Sequence, residues 1–167
     1  MRYHVISLVA AVALLAACES TPDQQSTTGG LGAGTVGQPS GVAGRPGARP
    51  GSQEDLVANV GDRVFYDLDR SDLKPEARRT IERWAGWMRQ YPNVAATVEG
   101  HADERGTREY NLALGERRAN SAKNYLVSLG IEARRVATIS YGKERPAVVG
   151  SNEAAWSQNR RGVMIVN

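Results

Sequence analysis

Asp103 and Arg118 are the residues of this 167-residue chain whose types and setting best suit binding a small charged molecule. Asp103 sits in the acid-rich turn His101-Ala102-Asp103-Glu104-Arg105-Gly106, and Arg118 follows on a helix-forming run. A carboxylate and a guanidinium converging on one pocket would hold a zwitterion, with its amine on Asp103 and its acid on Arg118. Arg118 lies four residues after Leu114 and four before Ala122, on or beside an apolar stripe. A guanidinium placed there must find acceptors, because an unpaired buried charge is costly. Asn111 and Gly115 share that face nearer the helix start, while Arg117, one residue round, points to solvent. Amides at the helix start can take part of an anionic load. The same spacing equally permits an internal ion pair between Arg118 and Asp103.

Catalysis fits poorly. His101, Asp103 and Glu104 could start a metal or acid–base cluster, but a metal needs a third or fourth ligand from elsewhere. His101 and His4 are the only histidines, and His4 lies in the leader. A Ser-His-Asp triad would have to borrow His101 from beside its own Asp103, and no Gly-x-Ser-x-Gly elbow is present. Hydrogen bonding within the turn is the expected role of His101. No metal and no cofactor are expected.

The positioning elements alternate. Val64-Phe65-Tyr66 reads as a short strand, followed by the acidic turn Asp67-Leu68-Asp69. Pro75 suits the first position of a helix. Ala77, Ile81, Trp84, Ala85 and Met88 then recur on one helical face until Tyr91-Pro92. Trp87 lies off that stripe; partial exposure is one reading of it, and packing is the preferred one. Val94 to Gly100 alternates as a half-buried strand should. A second helix is expected from Arg108 to Leu129, with Thr107 as N-cap and Gly130 as its stop. Its buried face should include Leu114, Ala122, Tyr125, Leu126 and Leu129. Val136–Tyr141 and Gly162–Val166 supply two more strands. Strand, helix, strand, helix, strand, strand gives an α/β fold, a two-layer α+β sandwich.

The domain so defined spans residues 55–167, with 18 Lys and Arg against 15 Asp and Glu. It has no long basic run or aromatic ladder, which argues against nucleic acid. Ahead of it, residues 19–54 are dominated by Gly, Pro, Ser, Thr, Gln and Ala, too poor in large apolar side chains to bury a core. As a flexible tether they would span ~33 Å on average and ~120 Å at full stretch. Val5 to Ala17 is apolar apart from Ser7, too short for a bilayer span of ~20 residues, and Arg2 precedes it. Residues 1–17 therefore read as an export signal. Cys18, the chain's single cysteine, follows Leu15-Ala16-Ala17, which resembles a bacterial lipobox and makes Cys18 the expected acylation site. Several acyl chains anchor stably where one does not. Glu19 at the next position favours sorting to the outer membrane.

Glu99-Gly100-His101-Ala102-Asp103-Glu104-Arg105-Gly106-Thr107, continuing through Asn111, Leu114 and Arg118, resembles the signature of OmpA-like peptidoglycan-binding domains. Tyr66-Asp67-Leu68-Asp69, Ser140 to Ala147 and Asn159-Arg160-Arg161 are similar to further motifs of that family. The resemblance implies a βαβαββ domain with a mixed sheet and helices on one face. It also implies non-covalent binding of the diaminopimelate of the peptidoglycan stem, with Asp103 on its amine and Arg118 on its carboxylate. Asn111 and Leu114 would support that site, and the Phe65–Asp69 loop would border it, with either Asp67 or Asp69 facing in. Lipid-anchored members tie the outer membrane to the wall. They also bind TolB of the periplasmic Tol system, which acts in constriction at division. Glu104, Arg105 and Thr107 are candidates for that partner surface. A motor stator would need a spanning helix and a porin many alternating strands, and the sequence offers neither.

Overall fold

Residues 47–167 are described by the structure, a computed structural model. The expected export signal, Cys18 and the tether up to residue 46 lie outside them. In chain order the elements are α1 (Gln53–Asn59), β1 (Arg63–Phe65), α2 (Pro75–Gln90), β2 (Ala96–His101), α3 (Arg108–Ser128), β3 (Val136–Gly142), α4 (Glu153–Asn159) and β4 (Arg161–Val166). A 3₁₀ turn at Ala133–Arg135 leads into β3.

The two long helices begin and end for the local reasons their sequences give. Pro75 is the first residue of α2, and Tyr91 caps its end ahead of Pro92. The Thr107 hydroxyl caps α3 by accepting the Tyr110 N–H. At the other end Gly130, at φ +90°, donates to Val127 while Ile131 donates to Leu126, the paired bonds of a Schellman stop.

The sheet runs in the order β1-β4-β2-β3. β4 lies antiparallel to both β1 and β2, whereas β2 and β3 are parallel and joined by α3. Helices α2 and α3 cover one face, and Leu56, Val64, Ile81, Trp84, Met88, Val98, Leu126 and Met164 form the core beneath them. The expected α/β sandwich is the fold of the chain. β4, last in sequence, is inserted between β1 and β2, which brings Arg160 next to the C-terminal end of β2.

Two short helices depart from the expected order. α4 is a short helix capped by the Asn152 side chain that buries Ala155 and Asn159, too short for an apolar period to show. α1 begins at Gln53, two residues before the expected domain boundary, and buries Leu56 completely. It also supplies the packing for Trp87, which is 5% exposed although it lies off the main stripe of α2. α1 covers that ring, and Asp55 Oδ2 accepts the indole N–H at 3.0 Å. The same carboxylate accepts from Gly51 N at 2.9 Å and from the Asn59 amide at 2.6 Å. Asp55→Ala strands these donors in a partly dry setting and is expected to cost about 2–3 kcal/mol. Urea unfolding followed by tryptophan fluorescence measures it.

Candidate functional site

Arg118 is fully buried, at 0% exposure. Its helix α3 crosses the sheet so closely that the guanidinium emerges at the C-terminal end of β2, against the loop after β1. There Nε donates to Arg70 O at 2.8 Å, Nη1 to His101 O at 2.8 Å and Nη2 to Asp67 O at 2.9 Å. All three acceptors are neutral carbonyls, so the pairing with Asp103 that the spacing allowed is absent. Three of the five N–H groups of an arginine are thereby used. The Tyr66 ring lies 5.3 Å from the guanidinium carbon, and its hydroxyl donates to Arg118 O at 2.8 Å. Burial lowers the Arg118 pKa to about 10, and the group remains a cation at neutral pH. Burial likewise pushes the Tyr66 phenol up to about 12, which keeps it neutral and donating.

Asp103 is 4% exposed and sits where the chain leaves β2. Its Oδ1 accepts the Arg105 N–H at 3.1 Å and Arg105 Nε at 3.2 Å. Its Oδ2 accepts Arg105 Nη2 at 2.6 Å and Arg160 Nη1 at 3.4 Å. Burial alone would raise its pKa, but the hydrogen bonds from Arg105 outweigh it and hold the carboxyl below its ordinary value. Arg160 is buried and fixed further by Tyr66 O at 3.2 Å and Glu153 at 2.5 Å. The sequence placed Arg160 in a motif without giving it a partner, since Asp103 lies 57 residues away. Arg105 stacks at 4.0 Å over Trp156, whose indole donates to Glu104 Oε1 at 3.0 Å.

Asp103 and Arg118 line one small cavity with Leu68, Asp69, Ala102, Arg105, Tyr110, Asn111 and Leu114. Its free volume is about 30 Å³, enough for one or two waters. Asn111 supports it from below, its amide donating to Arg105 O at 2.8 Å and Thr107 O at 3.0 Å, which fixes the turn. Of Asp67 and Asp69 in the β1–α2 loop, Asp69 faces the cavity. It adopts φ 56°, a left-handed conformation that a short polar side chain tolerates, and accepts a hydrogen bond from the Tyr110 hydroxyl. Asp67 contributes its carbonyl to Arg118 but sends its carboxylate to Lys74 at 2.5 Å. Phe65 is also turned away: alternation along β1 buries Val64 and leaves Phe65 in a separate surface groove with Lys74 and Ala77. Glu104 and Thr107 are exposed and Arg105 half-buried beside the cavity.

His101 corrects another expectation. Its ring is buried, yet neither nitrogen makes a hydrogen bond. Tyr141 lies 5.6 Å away, and Glu99 Oε2 stands 3.4 Å from Nε2 without bonding geometry. Burial, followed by the charges of Arg161 and Arg145, lowers its pKa from 6.5 to about 4. The folded state is therefore fully favoured above pH 6.5 and loses stability as pH falls from 6.5 to 4, where only the unfolded chain takes the proton. The loss should approach about 3 kcal/mol. Asp103, depressed below 3.8, gives up its own contribution only at lower pH. His101→Phe should flatten the slope between pH 6.5 and 4 in unfolding measurements.

Among the described residues no cluster of His, Cys, Asp and Glu is placed to hold a metal ion, and no helix is long and apolar enough to cross a membrane. What the cavity offers is a fixed cation and a fixed anion at the end of a strand, opening on the start of a helix.

A family model described as the OmpA family matches residues 65–160. The chain belongs to the OmpA family. Its similarity runs in particular to the peptidoglycan-associated lipoproteins. That of Agrobacterium fabrum is 48% identical over 162 residues, covering 97% of this chain and 86% of the relative. That of Pseudomonas aeruginosa is 42% identical over 156 residues, covering 93% and 91%. The crystal structure of the peptidoglycan-associated lipoprotein from Burkholderia pseudomallei superimposes with a TM-score of 0.62 at 34% identity, over 64% of this chain and 90% of that one. The C-terminal domain of Helicobacter pylori MotB, at 19% identity and a TM-score of 0.60, shares the fold alone. With this family and these relatives, the chain is not an enzyme.

Proposed function

We propose that the chain is an outer-membrane lipoprotein that grips peptidoglycan non-covalently through the diaminopimelate of the stem peptide. The observation that carries this reading is the buried charge of Arg118, held by three neutral carbonyls and left without a carboxylate partner, in the same cavity as Asp103. Two guanidinium N–H groups remain for an incoming acid, and Asp103 supplies the opposite pole. The far end of diaminopimelate carries an ammonium and a carboxylate on one carbon, which matches that pair. Asp69 adds negative charge on the ammonium side, while Asn111 and Leu114 hold the turn and the floor.

The rest of the chain fits a tether. Residues 1–17 act as the export signal, acylated Cys18 anchors in the outer membrane, and residues 18–54 link it to a domain at 55–167 working in the periplasm. Through Glu104, Arg105 and Thr107 the domain engages TolB, which places it in the Tol-Pal system that supports the envelope and its constriction at division. The Phe65 ring and the Asp67 carboxylate point away from the cavity, so neither is assigned a contact with the stem.

Sedimentation with purified diaminopimelate-type sacculi tests this. Asp103→Asn keeps the side chain's shape and removes its charge, so bound protein should fall by roughly thirtyfold or more. Undiminished binding by this variant would remove Asp103 from the site.

A further inference from the structure

Asp103 has no vacant acceptor position. A carboxylate offers about four lone-pair sites, and four N–H groups occupy them: the Arg105 backbone, Arg105 Nε, Arg105 Nη2 and Arg160 Nη1. An ammonium can reach this carboxylate only if one of those donors leaves. The Arg105 N–H is part of the turn that Asn111 fixes. Arg160 is 7% exposed along its side chain and held at two other points. The Arg105 side chain, by contrast, is 34% exposed. It lines the cavity, and its guanidinium occupies the side of Asp103 that a ligand's ammonium would need.

We infer that the Arg105 guanidinium is an internal stand-in for the ligand's ammonium, which must be displaced before the site can fill. This rests on the reading of Asp103 as the ammonium-binding group. Arg105 forms a forked pair with Asp103, as a bound cation would, and satisfies the buried acid while the site is empty. Its exit is prepared. The face of Trp156 already carries the guanidinium at 4.0 Å, and Glu104 and Glu153 lie near enough to act on its charge. A small rotation can therefore keep the stack and exchange one acid for another. Arg105 thus sets the affinity of the site by competing with every ligand for one carboxylate.

This role predicts the opposite sign from a direct ligand contact. Arg105→Ala and Arg105→Gln, in the full-length protein, should each bind a diaminopimelate-containing stem peptide roughly three- to tenfold more tightly than the natural chain, the span expected for losing a half-exposed forked ion pair. Association should also quicken, because no side chain has to move first. Equal or weaker binding by both variants, with unchanged thermal unfolding, would overturn the inference and make Arg105 a ligand contact or a bystander. If the natural chain itself fails to bind the peptide and Arg105→Ala fails as well, the reading of the site is wrong. If only the natural chain fails, Arg105 closes the site completely until it is displaced.

Discussion

Arg118→Ala is expected to abolish wall binding and to loosen the domain that remains. The substitution removes the only buried cation facing Asp67 O, Arg70 O and His101 O, which tie the β1–α2 loop and the end of β2 to α3. Arg70 O and His101 O lose this donor, Asp67 O keeps only the 3.3 Å bond from Arg70 N, and a cavity opens beneath Tyr66. Rearrangement and water entry recover part of this, leaving a loss of about 3–5 kcal/mol in unfolding free energy. The binding loss should exceed roughly a hundredfold, because the carboxylate of the ligand then meets no charge. Arg118→Lys separates the two effects. One ammonium cannot reach three carbonyls in three directions and still present a fork to a ligand. It should recover part of the stability and little of the binding, read by thermal unfolding and sacculus sedimentation side by side. Wild-type sedimentation by Arg118→Lys would show that simple positive charge suffices.

Gly100→Ala is the second large effect, and it acts on the frame. A Cβ at residue 100 would stand 1.8 Å from Gly115 O and 2.5 Å from Gly115 C, both backbone atoms of α3. From the other side, a Cβ at residue 115 would meet Ser140 Oγ at 2.3 Å and Gly100 O at 2.7 Å. Neither contact can be relieved by turning a flexible side chain at the clash with backbone, so α3 must lift from β2. Overpacking of this kind costs about 3 kcal/mol or more, which for a domain of this size lowers the melting temperature by roughly 10–15 °C. The site suffers as well, because Gly100 precedes Asp103 by three residues and Gly115 precedes Arg118 by three. Melting within two or three degrees of the natural chain would show that the glycine pair is not what sets the helix–strand distance.

These two substitutions also mark how far the sequence could be read. Thr107 and Gly130 bracket α3 through bonds between near neighbours, so the helix could be placed from residue types alone. The alternation of Val94–Gly100 and the stripe from Ala77 to Met88 likewise report local geometry. Arg118 could be recognised as a buried cation from its spacing to Leu114 and Ala122. Its acceptors could not, because they come from a loop 48 and 51 residues away and from the end of β2. The choice between an internal ion pair with Asp103 and a free cation thus required the fold. What packs on Trp87 was hidden for a related reason: the seven residues of α1 that cover it carry too short a pattern to reveal a helix. The Asp103 partner Arg160 depends on β4 entering the middle of the sheet, an order that no single strand's composition encodes. His101 is legible only as a histidine in a turn, and its dry, unbonded ring is a product of the residues packed over it.

Recognition of a zwitterion by Arg118 and Asp103 together is open to one decisive titration. The full-length protein is titrated by calorimetry with a stem peptide ending in diaminopimelate, and in parallel with the same stem carrying lysine. Lysine keeps the ammonium and lacks the second carboxylate. Saturable binding of the first peptide is expected, with binding at least tenfold weaker for the second, since the carboxylate on Arg118 is a charge-assisted fork. Equal affinity for the two peptides would contradict it, because Arg118 would then contribute nothing to recognition.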